Sequence, residues 1–307
     1  VDDAVRLTYQ QLSDEVDMIA RALLAYGIKP GDRIATMVPP SLEFWLTYLA
    51  TTSIGGIWMG LNPRYQLPEY AYLLGDAKPS LVFCRTEYED RAYCDELQSV
   101  GTEIKHFVSF GKPTGRAVAF ETFLEKAKDT SDDELASRRV AVDAEDIAVI
   151  VYTSGTTGKP KGVLITNKNV TALLYWAKKE FNTERFDLVY AVTSHCFDLS
   201  AYEMFFTLSV GKTIKLLSNA LEISKELKTD KKVLLNTVPS SIRSLMEEDF
   251  SSLENASIIN LAGEPFPVDI ARELLRTTAE IRNLYGPSED TTYSTYYQLE
   301  KGKTYKT

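Results

Sequence analysis

Cysteine and histidine are scarce, at three and two in 307 residues. Cys84, Cys94 and Cys196 form no Cys-x-x-Cys pair and are odd in number. That excludes a disulfide scaffold and reads as a reduced, cytoplasmic protein. His106 and His195 alone give no material for a zinc site of ordinary spacing. Positive charge is short as well: 34 Lys and Arg face 43 Asp and Glu, a net charge of −9. A general grip on nucleic acid or an anionic membrane needs clustered cations, so neither is expected as a partner. A small anion held locally remains open. Long apolar runs are missing too. Phe44 to Pro63 carries no charge, yet Thr47, Thr51, Thr52, Ser53, Gly55, Gly56 and Gly60 make it a poor lipid-facing helix. It reads as a buried helix followed by a short strand. The opening Val1-Asp2-Asp3 is acidic, unlike the basic start of a signal peptide.

What is present is ordinary globular material, 44% hydrophobic and 25% charged, in a length that suits two domains. Short apolar strands alternate with amphipathic helices, the pattern of a doubly wound α/β fold. Strands are expected at Arg33–Met37, Gly56–Met59, Ser80–Phe83, Lys105–Val108 and Ile147–Tyr152. Helices are expected at Ser13–Ala25, Leu42–Ser53, Pro68–Leu74, Glu87–Gln98 and Phe120–Ala127, with Asp129–Arg139 a surface connector. The rhythm resumes with helix Asn167–Lys179, strand Leu188–Ala191, helix Ser200–Leu208 and strand Lys212–Leu216. Strand Lys232–Asn236, helix Ser240–Met246, strand Ser257–Asn260, helix Val268–Leu275 and strand Glu280–Leu284 complete it. This divides the chain into two α/β lobes, 1–185 and 186–298, with a polar tail at 299–307.

The strongest local signal follows the strand ending at Val151. Tyr152-Thr153-Ser154-Gly155-Thr156-Thr157-Gly158-Lys159-Pro160-Lys161-Gly162-Val163 is a loop rich in Gly, Ser and Thr with two lysines. Glycines let backbone N–H groups approach an anion, hydroxyls add donors and lysine adds charge, which together suit a polyphosphate. A surface turn has a similar composition. The usual P-loop pattern fails, because Pro160 stands where its second glycine should fall. No G-x-G-x-x-G is present.

That string resembles the signature loop of the adenylate-forming superfamily: acyl-CoA synthetases, luciferases and the adenylation domains of nonribosomal peptide synthetases. Further stretches resemble the family's motifs in order. Leu7-Thr8-Tyr9-Gln10-Gln11-Leu12 is similar to the opening motif, and Gly55 to Arg64 to the second in its acyl-CoA-synthetase form. Phe197-Asp198-Leu199-Ser200-Ala201-Tyr202-Glu203 resembles the amino-acid-activating form of the substrate motif. Ala262-Gly263-Glu264-Pro265 resembles the adenine-side loop, and Asn283-Leu284-Tyr285-Gly286-Pro287-Ser288-Glu289 the adenine and magnesium motif, with Ser288 where threonine is commoner.

The resemblance implies an N-terminal core of two doubly wound lobes that binds ATP and Mg2+. Thr153, Ser154, Gly155, Thr156, Thr157, Gly158 and Lys161 would hold phosphates, and Gly263, Glu264, Pro265, Asn283, Leu284, Tyr285, Gly286 and Ser288 would bind the nucleotide. Lys161 and Glu289 would be catalytic, with Glu289 on the metal. By itself Tyr285 offers either a flat π face at a strand's carboxyl edge or a core side chain. Glu289 alone is either a magnesium ligand shared with phosphates or solvated surface. Asp198, set between Phe197 and Leu199, needs a partner if buried. A substrate ammonium would supply one, while a helix cap is the plainer use, with Ser200 and Glu203 forming a capping box.

Carrying the amino-acid branch's pocket over by motif gives Asp198, Leu199, Tyr202, Asn236, Asn260, Ala262, Leu284, Thr292 and Tyr293. The matching aspartate of that branch binds the substrate's α-amino group. Tyr202, Leu284 and Tyr293 would fill the pocket and the two asparagines are uncharged, a lining similar to that of modules activating alanine or another small amino acid. The implied activity is formation of an aminoacyl adenylate and transfer to the phosphopantetheine thiol of a carrier protein, with an acyl-CoA ligase or a binding scaffold as alternatives. Residues to about 185 resemble an acyl-CoA synthetase and those from about 186 a peptide synthetase, as a natural recombinant or an engineered graft would. The family's barrel and C-terminal domain, with its catalytic lysine, are not matched before Thr307. His195 beside Ser194 lacks a G-x-S-x-G elbow and is given no catalytic role. The sequons at Asn169 and Asn255 have no bearing in a cytosolic chain.

Overall fold

Thr8 and Gln11 cap each other at the first helix. The Gln11 amide donates to Thr8 Oγ1 at 3.2 Å and the Thr8 amide to Gln11 Oε1 at 2.8 Å, so α1 (Tyr9–Ala25) begins at Tyr9 rather than Ser13. The structure, a computed structural model, describes residues 5–153, 160–194 and 196–305. They fall into two units that divide after Lys168.

In the first unit α1 is followed by β1 (Arg33–Met37), α2 (Leu42–Ser53), β2 (Ile57–Gly60), α3 (Leu67–Ala77), β3 (Leu81–Arg85) and α4 (Tyr93–Val100). Then come β4 (His106–Phe110), β5 (Val118–Ala119), α5 (Phe120–Leu124), α6 (Asp132–Val140), β6 (Ile147–Thr153) and β7 (Lys161–Thr166). The sheet order is β5-β4-β3-β1-β2-β6-β7, parallel except for the antiparallel β6–β7 hairpin. The uncharged stretch is the expected buried helix and strand. Trp58 stacks on Tyr48 of α2 at 4.6 Å and its Nε1 donates to Thr36 Oγ1 at 3.1 Å. A Cβ on Gly56 would stand 2.9 Å from Thr51 Cγ2, so only glycine fits between helix and strand. No helix among the described residues is long and apolar enough to cross a membrane.

Two expectations are corrected here. Asp129–Arg139 is no plain connector, since α6 forms on an N-cap from Ser131, whose hydroxyl accepts from the Glu134 amide. Asp132, Asp133 and Glu134 fill its first turn and Arg138 and Arg139 its last, matching the helix dipole, and one buried residue, Leu135, anchors it. The helix expected over Glu87–Gln98 starts only at Tyr93, because Glu89 and Asp90 take left-handed backbone in a tight Tyr88–Arg91 turn.

The second unit carries α7 (Asn167–Glu180), β8 (Leu188–Ala191), α8 (Leu199–Ala201), a π-helical turn Tyr202–Phe206, α9 (Thr207–Ser209), β9 (Thr213–Leu216) and α10 (Glu222–Leu227). It continues through β10 (Val233–Thr237), α11 (Pro239–Asp249), β11 (Ala256–Leu261), α12 (Val268–Leu274), β12 (Glu280–Tyr285) and β13 (Thr295–Gln298). The order β13-β12-β11-β10-β8-β9 is parallel except for the added β13. Leu173 and Ala177 of α7 pack with Phe181, Phe186 and Val189, so this helix joins the second unit although the sequence division leaves it in the first. In the polar tail, Leu299 is buried and Tyr305 packs against the same core cluster. Both sheets are doubly wound α/β layers, and neither closes into a barrel.

Candidate functional site

In the first unit, β6 delivers Thr153 and β7 returns Lys161 directly opposite in the antiparallel register. The phosphate-loop candidates Ser154, Gly155, Thr156, Thr157 and Gly158 lie outside the described residues, as does His195. What is described is the base that holds the loop. Tyr152 donates its hydroxyl to Asp76 Oδ2 at 2.7 Å, and Tyr72 donates to the Pro160 carbonyl at 3.0 Å, tying both ends of the hairpin to α3. A Cβ on Gly162 would meet Ile150 Cγ2 at 2.9 Å. Lys161 is exposed.

In the second unit, every sequence candidate follows the carboxyl end of a parallel strand or sits on one. β9 and β10 lie on opposite sides of β8, so the topology switches there, where α/β sheets bind ligands. The segment after β8 brings Asp198, which is only 6% exposed. Its Oδ2 accepts from the Thr292 amide at 3.0 Å, and the Thr292 hydroxyl donates to the Asp198 carbonyl at 3.0 Å. Burial raises the Asp198 carboxyl above its ordinary range, while the Thr292 amide and the Ser288 hydroxyl pull it back. Among the described residues no ion pair reaches it. A strained loop makes the Thr292 contact: Thr291 and Thr292 both take left-handed backbone, at φ 60 and 73°, unusual for β-branched residues. Gly286 permits this, since a Cβ there would lie 2.4 Å from the Thr292 carbonyl oxygen.

The remaining pocket candidates converge on one face of the sheet. Tyr202, Ala262, Leu284 and Tyr293 are buried in a common cluster, with Leu199 packed against it. Tyr202 and Tyr293 meet edge to face with ring centres 5.0 Å apart. Asn236 and Asn260 are register partners on β10 and β11, and Tyr293 donates its hydroxyl to Asn236 Oδ1 at 2.5 Å.

The capping box is corrected. Ser200 donates back to the Phe197 carbonyl at 2.7 Å, and Glu203 turns inward, where it accepts from Thr193 and from Asn236 Nδ2 at 3.2 Å. Burial pushes its carboxyl up to about 7 against those donors. A charge lies beside Asn260 in the sheet. Arg282, 1% exposed, is the register partner of Asn260 and is held by Glu280 at 2.5 Å. Glu203 and Arg282 were missed because each looks like part of a local pattern, a helix cap and an apolar strand. A charged residue inside an apolar run was the available signal.

Of the nucleotide candidates on β12, Leu284 is buried with the pocket candidates, while Asn283 and Tyr285 turn to the other side. Asn283 and Tyr285 are exposed, Tyr285 by 69%, whereas Arg282 and Leu284, which alternate with them, are buried. Tyr285 is therefore no core tyrosine. Glu289 lies exposed on the short turn Ser288–Asp290. Gly263 and Pro265 are exposed, but the Glu264 carboxylate receives the Ser240 amide and hydroxyl at 2.9 and 2.8 Å and so caps α11.

The family described as AMP-binding enzyme matches residues 1–307. A linear gramicidin synthase chain of Brevibacillus parabrevis is 33% identical over 307 residues, covering 97% of this chain and 5% of its own length. The AMB antimetabolite synthetase AmbB of Pseudomonas aeruginosa is 34% identical over 298 residues, 96% of this chain and 22% of its own. The chain thus spans a minor part of these relatives. The solved structure of apo MatB from Rhodopseudomonas palustris shares the fold, with a TM-score of 0.79 at 21% identity over 98% of this chain and 58% of that one. The chain belongs to the AMP-binding enzyme family, the adenylate-forming enzymes of the nonribosomal peptide synthetase and acyl-CoA synthetase kind.

Proposed function

We propose that this chain binds ATP and a small amino acid, alanine foremost, and joins them as the aminoacyl adenylate. The observation that carries the reading is Asp198, a buried carboxylate met by backbone amides and the Ser288 hydroxyl but by no ion pair among the described residues. Leaving a carboxylate so enclosed is costly without a positive partner, and a substrate ammonium is a fitting one. Tyr202, Leu284 and Tyr293 fill the space beyond it, which favours a short side chain. One methylene changes selectivity by only ~1–3 kcal/mol, so glycine and serine compete.

The exposed Tyr285 suits stacking on adenine, and Lys161 suits a phosphate. Glu289 fits magnesium, which takes few carboxylates and completes its shell with phosphate oxygens and water. When bound, that ion would offset charge developing on the phosphates. The amino-acid carboxylate would attack the α-phosphorus in line, forming one P–O bond as the bond to the departing pyrophosphate breaks. The residues contribute mainly by positioning and electrostatics. The acyl group would then pass to the phosphopantetheine thiol of a carrier protein.

Pyrophosphate exchange across a panel of amino acids tests the reading. Exchange that depends on alanine or another small amino acid supports it. Exchange driven equally by carboxylic acids without an amine would overturn amine recognition by Asp198 and favour an acyl-CoA ligase.

A further inference from the structure

Glu203 is fully buried, and the pocket read from the motifs does not include it. It lies in the π-helical turn Tyr202–Phe206. Such a turn inserts an extra residue into the helix, and here Tyr202, Glu203 and Met204 are consecutive and all buried. The carboxyl accepts from the Thr193 amide at 3.2 Å, from the Thr193 hydroxyl, and from Asn236 Nδ2 at 3.2 Å.

The Asn236 contact decides an orientation. In its ionised form the Glu203 carboxyl only accepts hydrogen bonds, so the Asn236 amide then turns Nδ2 toward Glu203 and Oδ1 away from it. That oxygen then receives the Tyr293 hydroxyl at 2.5 Å. Thr193, Glu203, Asn236 and Tyr293 thus form one chain of hydrogen bonds. It runs from the segment before Asp198, through the helix and β10, to the loop whose Thr292 amide holds Asp198. A tie that only fastened helix to loop would need Thr193 alone; the third bond reaches a pocket side chain.

We propose that Glu203 is a positioning residue that holds Asn236 and Tyr293 in one arrangement and so sets the size limit of the amino-acid pocket. The inference rests on the reading of Asp198, Asn236 and Tyr293 as that pocket. Without the carboxylate, the Asn236 amide is free to flip and Tyr293 to swing, opening room for another methylene.

The test compares wild type, Glu203→Gln and Thr193→Val as the full chain. Calorimetry would measure binding of ATP and of the sulfamoyl-adenosine analogues of alanyl and 2-aminobutyryl adenylate. NMR would follow the Asn236 side-chain amide signal, assigned by its loss in Asn236→Ala. Glu203→Gln is expected to weaken the alanyl analogue about tenfold, as for one lost charge-assisted hydrogen bond. It should also narrow the preference over the 2-aminobutyryl analogue, shift the Asn236 signal and leave ATP binding unchanged. Should Glu203→Gln fail to fold, Thr193→Val carries the test, with a two- to threefold shift expected in the same direction. Unchanged preference and an unchanged Asn236 signal in the folded variant overturn the proposal. A wild-type chain that binds ATP but neither analogue more tightly than sulfamoyl-adenosine defeats the pocket reading and the size limit with it. The amide signal then decides separately whether Glu203 holds Asn236.

Discussion

At its carboxyl end, the two faces of β12 differ in kind. Asn283 and Tyr285 stand exposed on one face, while Arg282 and Leu284 are buried on the other, Leu284 among the proposed pocket residues. The exposed face suits a large, rigid ligand that brings its own charge and aromatic surface. The buried face suits a small one, whose selection depends on groups already fixed in place. Selectivity should therefore fail on the buried face and nucleotide affinity on the exposed one, with little crossing between them.

The largest expected effect is that of Asp198→Ala. Breaking a buried charge pair costs about 3–5 kcal/mol, equivalent to roughly two to four orders of magnitude in amino-acid-dependent exchange. ATP affinity measured by calorimetry should stay within a few-fold. An equal loss of ATP binding would break the separation of the two faces. Gly286→Ala should come next, since its Cβ would lie 2.4 Å from the Thr292 oxygen and 2.8 Å from the Ser294 nitrogen, both backbone atoms that cannot give locally. The strained turn would have to open, and Asp198 would lose the Thr292 amide. A drop in amino-acid affinity of about tenfold or more, with a lower Tm, is expected.

Much of this arrangement was legible in the sequence, and the parts that were not share a cause. Strands such as Arg33–Met37 and Leu188–Ala191 form where their apolar runs lie, because burial on both faces leaves a continuous signal. α6 was hidden, since a single buried leucine gives no periodicity and its stability comes from a cap and end charges. The hairpin strand β7 was masked by its exposed, glycine-bearing start at Lys161-Gly162. At the proposed pocket, motif spacing points to Asp198 and Tyr293, but only three-dimensional pairing reveals that Asn236 links Tyr293 to Glu203. A hydrogen-bonded chain assembled from four separate segments leaves no mark on spacing.

Glu203 also gives the buried face a pH signature. Its carboxyl titrates near 7 in the folded chain, against 4.5 as its ordinary value, because burial outweighs the donors around it. Between those values the native chain binds more protons than the unfolded one, so stability falls as pH rises from about 4.5 to about 7 and levels off above. The span is about 3 kcal/mol. Glu203→Gln should lose this slope, so unfolding free energies at pH 5 and pH 8 should differ more in wild type than in the variant. Tyr202 and Tyr293 feel the Glu203 charge, Arg282 acts on Tyr202 and Asp198 on Tyr293. All four remain in the variant, so the subtraction isolates Glu203. Parallel pH profiles would show that the carboxyl titrates as it does in water.

The smallest effect belongs to the exposed face. Tyr285 is 69% exposed and takes no part in the buried cluster, so its removal leaves no cavity and Tm should hardly move. Its contribution should appear only with nucleotide bound, where stacking of a base on an aromatic ring is worth ~1–3 kcal/mol. Tyr285→Ala should then raise the Kd for ATP by about five- to a hundredfold, and Tyr285→Phe, which keeps the π face, should stay near wild type. The preference between alanyl and 2-aminobutyryl analogues should be the same in all three, because the ring lies across the strand from the residues that set it. A change in that preference on losing Tyr285 would mean that the two faces of β12 act as one site.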